Sequence, residues 1–227
     1  MEKERRVLVI FPHPDDEAFG VSGTISTHIN NGTPVTYACL TLGEMGRNLG
    51  NPPFATRESL PLIRKKELKK AAEAMGIEDL RMMGYRDKTL EFENDEKLAN
   101  MVTELIEELD PSLIISFYPD YSVHPDHEAT ARAVVRAVRR LPKESRPKLH
   151  CLAFSKNCRE ELGEPDIIID ITPVRDQKIK TLEAHISQTA WMLKDLEKGL
   201  AANDPEALKW VTVENFWSYQ WENDKVD

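Results

Sequence analysis

The chain has 227 residues, 41% of them hydrophobic and 30% charged, enough to bury one sizeable core in a single α/β domain spanning 1–227. With 39 acidic against 30 basic side chains the formal net charge is −9, which argues against a nucleic-acid or anionic-membrane surface, since both select for excess Lys and Arg. No apolar run approaches the ~20 residues of a membrane span, and the charged start MEKERR leads into a strand rather than a signal-peptide core. The three cysteines, Cys39, Cys151 and Cys158, have no CxxC spacing; they read as reduced, so the chain is expected in the cytoplasm.

Strand-like and helical patterns alternate almost to the C-terminus. RVLVIF (6–11) predicts a first buried strand, and 18–31 the helix after it. PVTYACLT (34–41) predicts a second strand, followed by a Gly/Pro-rich loop at 43–54 that is longer than a connection requires. The next helix stops at Gly76, a C′ glycine. LRMMGY (80–85) reads as a short third strand, and 94–109 as a helix with Asn94 as N-cap. SLIISFYP (112–119) predicts a fourth strand, followed by the loop DYSVHPDH and a helix over 128–140. KLHCLAF (148–154) and DIIIDIT (166–172) read as further strands joined by an irregular connection. A long helix over 173–200 and a shorter one near DPEALKW complete the pattern. The alternation predicts a Rossmann-like three-layer αβα sandwich around a mainly parallel sheet, with ligands gathering beyond the carboxyl ends of its strands.

Two polar clusters fall at those ends. HPDDE (13–17) follows the first strand and HPDH (124–127) follows the fourth. Each alone also fits a strand end that N-caps a helix; both at matched strand ends point to a metal site. His13 and Asp16 sit three apart on a turn made by Pro14. A histidine from HPDH would complete a His, Asp, His set with a fourth position for water, the pattern of catalytic zinc; spacing does not say whether that histidine is His124 or His127. Nitrogen and oxygen ligands without thiolates fit Zn2+, one per subunit, with Fe2+ or Co2+ admissible in the same geometry. Asp15, the spare aspartate, is placed to act as general base, and the second histidine of HPDH to stabilise an oxyanion or protonate a leaving amine.

The pair PHPDDE and HPDH resembles the PIG-L/LmbE-type zinc N-deacetylases, which remove acetyl groups from N-acetylglucosamine conjugates; the likeness runs from the first strand to HISQ (185–188). The resemblance implies that His13, Asp16 and His127 ligate the metal, that Asp15 is the base, and that His124 is the oxyanion or acid residue. It also implies sugar contacts from Arg64, in IRKKEL, and Asp87, in GYRD; the plainer alternatives are an Arg64–Glu67 pair along the helix and an ordinary turn carboxylate. The length and the GEMGRNLG loop look most like the deacetylases of bacillithiol synthesis, which act on N-acetylglucosaminyl malate. Malate carries two carboxylates, so a cation is expected near the metal; Arg47, with Arg57 behind it, is the candidate.

The substrate expected is thus a small sugar conjugate, with a homo-oligomer left open. His28 and His150 read as surface or core positions, and HISQ carries no mechanistic role. Tyr118 and Tyr121 are placed to line the cleft, and the late tryptophans to pack a core or a subunit contact. Rival readings are a Mg2+- or Mn2+-dependent phosphoester hydrolase, disfavoured by the histidines, and a non-catalytic sugar-binding protein with the same fold.

Overall fold

The computed structural model describes residues 1–227. Its centre is β1 (Val7–Phe11), a strand buried at every position, as a strand covered on both faces must be. On one side lie β2 (Val35–Cys39) and β3 (Asp79–Met82); on the other lie β4 (Leu113–Phe117) and β5 (Lys148–Leu152), all parallel. The sheet has seven strands in the order β3-β2-β1-β4-β5-β7-β6. Chain direction across the sheet reverses between β1 and β4, the switch point where a crevice opens at the carboxyl edge. β1 shows how the layers form: Leu8 and Ile10 point into one core with α4 (Asp95–Leu109) and α5 (Pro125–Arg139). Val7, Val9 and Phe11 point into the other, against α2 (Ser22–Asn30) and α3 (Leu60–Met75). Helices therefore cover both faces, and the predicted sandwich is found.

Several predicted boundaries hold. α3 ends at Gly76, whose φ of 85° suits a residue without Cβ, and Asn94 caps α4 by accepting from the Lys97 N–H at 3.0 Å. Other elements differ. The helix expected over 18–31 is two: α1 (Asp16–Gly20) and α2, separated at Val21 (φ −142°). This segment is squeezed between neighbours, since a Cβ on Gly20 or Gly23 would meet Leu152 or Ile171 at 2.5 Å, and the chain bends to clear them. The helix expected over 173–200 is also two, α7 (Arg175–Ala184) and α8 (Ile186–Ala201), broken at His185.

The connection between β5 and β6 (Ile167–Asp170) contains a short helix, α6 (Cys158–Leu162). β7 (Val213–Ser218) is a strand that sequence reasoning missed, because it follows α9 (Pro205–Thr212) without a turn signal. It runs antiparallel to both β5 and β6, so the sheet is mixed at this edge. HPDH is not a loop either: α5 begins at Pro125, three residues before the predicted start.

Candidate metal and catalytic site

β1 delivers the chain over Pro12 and Pro14 into α1, leaving His13, Asp15 and Asp16 at the carboxyl edge. Beyond β4, His124 is the N-cap of α5, its Nδ1 accepting from the Asp126 N–H at 3.2 Å. Pro125 occupies the first helical position, where a missing N–H costs nothing. The first turn of α5 then brings Asp126 and His127 against His13.

Hydrogen bonding sets the tautomers. His127 Nδ1 lies 3.1 Å from the Ser122 carbonyl, an acceptor, so Nδ1 carries the proton and Nε2 the lone pair. His13 Nε2 lies 3.1 Å from Asp87 Oδ1 and 3.2 Å from Asp126 Oδ2, so its proton sits there and Nδ1 faces inward. His13 Nδ1 and His127 Nε2 stand 3.2 Å apart. Asp16 closes the triangle, with Oδ2 3.5 Å from His13 Nδ1 and Oδ1 3.3 Å from His127 Nε2. Ligand atoms around a tetrahedral ion with bonds near 2.05 Å stand about 3.3 Å apart. The three edges fit one such ion.

Two other groups of ligating side chains overlap this one: His13, His124 and His127, and His13, Asp87 and Asp126, each with ligand atoms within 4.8 Å. The first lacks a carboxylate, and its His124 Nδ1 is already committed to the helix cap. In the second, Asp126 also accepts from the Lys88 and Leu90 N–H groups at 2.7 and 3.2 Å, and Asp87 from Met45 N–H at 2.7 Å. Those carboxylates hold His13 from behind, as partners of a ligating histidine do.

The charges agree with this reading. Burial works against ionisation of Asp16, but His127 and His13 outweigh it and hold the carboxyl well below its ordinary range. Burial likewise opposes a charge on His13, yet Asp126, Asp16 and Asp87 together draw its pKa well above the ordinary value. That field favours positive charge at this point, and a divalent cation there satisfies all three inward atoms while releasing the proton. Asp87 is held down to about 2 because His13 and the Met45 N–H overcome its burial.

Asp15 carries the spare carboxylate. Burial pushes its pKa up to about 6, Arg64 pulls it down, and Asp16 pushes it up again. Its Oδ2 lies 3.1 Å from Arg64 Nη2. Arg64 also donates to the Gly43 carbonyl at 2.9 Å and to that of Pro14. Gly43 must be glycine for this approach: its φ is 62°, and a Cβ would lie 1.9 Å from Arg64 Nη1. His124, with its lone pair on Nδ1, keeps its proton on Nε2, and its ring lies 4.9 Å from that of His13. Burial first, then the neighbouring His13 and His127, lower its pKa, so it is a neutral donor.

The predicted substrate contacts fall in different settings. Arg64 is buried beside Asp15 and does not pair with Glu67, which instead accepts from the Ser187 N–H and hydroxyl at 2.8 and 2.6 Å. Asp87 is buried and committed to His13 and Met45. Arg47 lies exposed on the loop, and Arg57 braces that loop by donating to the Gly46 carbonyl at 2.7 Å. Tyr118 and Tyr121 do not turn their hydroxyls to the metal cluster: the first accepts from Gln220 N–H at 3.2 Å, the second donates to Glu161 at 2.9 Å.

Sequence reasoning missed Asp126, Glu17 and His185. Asp126 and Glu17 belong to the motifs themselves, and the signal was their charge at positions a helix buries. Glu17 and His185 are fully buried and face each other, with His185 Nε2 2.5 Å from Glu17 Oε1. An apolar recess of about 450 Å³ opens beside Asp16 and His127, walled by Phe19, Phe117, Leu152 and Phe154. Larger hollows elsewhere, of about 730 and 570 Å³, touch neither cluster.

Comparison with known proteins places this geometry among relatives. Residues 8–138 match the family PIG-L, described as GlcNAc-PI de-N-acetylase. The chain is 56% identical over 219 residues to a probable N-acetyl-α-D-glucosaminyl L-malate deacetylase 2 of Bacillus cereus, covering 96% of this chain and 100% of that protein. A protein of the same name from Bacillus subtilis is 53% identical over 218 residues, covering 96% of this chain and 99% of the relative. Among solved structures, the N,N′-diacetylchitobiose deacetylase of Pyrococcus horikoshii superposes with a TM-score of 0.70 at 25% identity, over 95% of this chain and 84% of that one.

Proposed function

The chain belongs to the PIG-L family of GlcNAc-PI de-N-acetylases, and from that premise we propose that it is a cytoplasmic hydrolase that removes the acetyl group from N-acetylglucosaminyl malate, in bacillithiol synthesis. The names of the Bacillus relatives support this substrate. The observation that carries the chemistry is the triangle of His13 Nδ1, Asp16 and His127 Nε2, with edges of 3.2, 3.5 and 3.3 Å.

His13, Asp16 and His127 would hold one Zn2+, with Asp126 and Asp87 orienting His13. Bound there, the ion would polarise the acetamide carbonyl and lower the pKa of a water towards about 7. Asp15 receives the proton of the attacking water; a carboxylate near pKa 6 is matched to that task around neutrality. The water oxygen bonds to the carbonyl carbon, and the neutral His124 donates its Nε2–H to the oxygen that gains negative charge. The C–N bond then breaks, the proton passes from Asp15 to the leaving nitrogen, and acetate and a free glucosaminyl amine result. Arg64 keeps Asp15 turned towards the reacting centre. The acetyl methyl group faces the apolar recess, and the malate carboxylates face the loop that bears Arg47. The whole of 1–227 serves as one catalytic domain.

The test is amine release by zinc-loaded protein from N-acetylglucosamine linked to malate, linked to inositol, or free. Turnover of the malate conjugate at least tenfold above the others is expected. Equal turnover of all three would remove the substrate assignment, and release of no amine from any would remove the activity.

A further inference from the structure

HISQ had no role in the sequence reading, and its first residue does nothing at the metal. His185 breaks the helical run between α7 and α8 at φ −91°, ψ 40°, and its ring turns into the protein. Its Nε2 donates to Glu17 Oε1 at 2.5 Å. The other oxygen of Glu17 accepts from the Tyr37 hydroxyl at 2.8 Å and from the Asp15 backbone N–H at 3.1 Å. A connected path thus runs from His185 through Glu17 to the main chain of Asp15.

Asp15 needs such a hold. Its φ is 104°, a left-handed conformation in which a residue bearing a Cβ is strained and persists only where its surroundings over-determine it. The Asp15 carbonyl accepts from the Ala18 and Phe19 N–H groups at 2.9 and 3.2 Å, and its carboxylate meets Arg64 at 3.1 Å. Glu17 secures the remaining polar group, the N–H. A carboxylate buried only to fill space would be replaced without loss by an apolar side chain. Here it has a directed task, and it stays charged only with a donor such as His185 opposite.

We propose that Glu17 and His185 are a pair of positioning residues that lock the HPDD turn in its left-handed form, so that the Asp15 carboxylate points at the substrate water. The inference rests on the reading of Asp15 as general base. Neither member of the pair touches the reacting atoms. Their removal acts on catalytic geometry, where a displacement of about 1 Å costs on the order of 100-fold in rate.

The experiment compares His185→Ala, His185→Gln, Glu17→Gln, Tyr37→Phe and Asp15→Asn, each measured for kcat, KM, zinc per chain and thermal unfolding. His185→Ala is expected to lose about 30- to 300-fold in kcat while KM stays within about threefold and one zinc is retained. His185→Gln, which can still donate an N–H to Glu17, recovers at least about tenfold of that loss. A crystal structure of His185→Ala is expected to show Asp15 outside the left-handed region. Native kcat in folded, zinc-loaded His185→Ala, or no rescue by Gln, overturns the proposal. Should His185→Ala not fold, Glu17→Gln decides: a kcat loss of at least about tenfold at native zinc content supports the pair, and native kcat overturns it. Tyr37→Phe, which leaves the Glu17–Asp15 bond in place, is expected to lose less than about fivefold; a loss as large as that of Glu17→Gln overturns the path. Asp15→Asn separates the two readings, since native activity there sinks the base assignment, whereas the Asp15 backbone in His185→Ala reports on the pair alone.

Discussion

Histidines meet in pairs at both edges of the sheet, and the two pairs have opposite chemistry. At the carboxyl edge, His13 and His127 each give one nitrogen to an acceptor, Asp87 with Asp126 or the Ser122 carbonyl, and turn the other inward onto Asp16. At the opposite edge, His28 and His150 border the hollow of about 730 Å³, and the Nδ1 atoms of both are buried without a partner. The nearby Glu4 gives its oxygens to Lys148 and Ser112 at 2.8 and 2.6 Å. Burial then dominates, pushing His28 down to about 4 and lowering His150 as well. Two imidazoles close together are therefore not a metal site. What makes one is a set of acceptors behind the rings, fixing the tautomer and drawing positive charge to the front.

The comparison breaks most severely at the base. Asp15→Asn leaves the three inward atoms in place, so zinc per chain should match the native protein while amine release falls about 1,000-fold; retention of native rate would show that another group takes the proton. Asp126→Asn makes the upper pair resemble the lower by weakening the hold on His13. Zinc affinity measured against a competing chelator should fall about 10- to 100-fold, and unchanged affinity would mean that the carboxylates behind His13 are irrelevant.

The lower pair predicts an effect on stability. His28 has a folded-state value of about 4 against an ordinary 6.5, so the unfolded chain takes up the proton first as pH falls. Stability present above pH 6.5 is accordingly lost between 6.5 and 4, by about 2 kcal/mol from about pH 7 to pH 5. Urea midpoints across that range should show the loss, and His28→Leu should flatten it; an equally steep limb in the variant would assign it to other groups. The smallest effect is expected at Arg47, which is exposed. Arg47→Ala should raise KM for the malate conjugate about three- to tenfold with kcat unchanged, and should leave a conjugate without carboxylates unaffected.

Much of the sheet was legible because buried parallel strands carry continuous apolar runs. β1, β2, β4 and β5 lie within one to three residues of their expected ends. β7 was not, because its partners are β5 and β6, distant in sequence, and no turn precedes it. The two helix breaks were hidden for a related reason. Val21 and His185 continue a helical pattern, and only the crowding at Gly20 and Gly23 or the pull of Glu17 on an imidazole ends it. At the site, His13, Asp16 and His127 were readable from motif and strand position together. Arg64 was readable as a residue of the site, yet its partners, Asp15 and the Gly43 and Pro14 carbonyls, come from other segments.

The amino-acid sequence by itself determined the order of strands and helices, the two motifs and the edge at which they gather, because hydrophobic period and strand ends are local properties of a chain. Only the tertiary structure decided which nitrogen of each histidine is free, why Asp15 rests at φ 104°, and that Asp126, Glu17 and His185 stand behind the reacting groups. Those features depend on which buried donor meets which buried acceptor, and such meetings are settled when segments more than a hundred residues apart pack together.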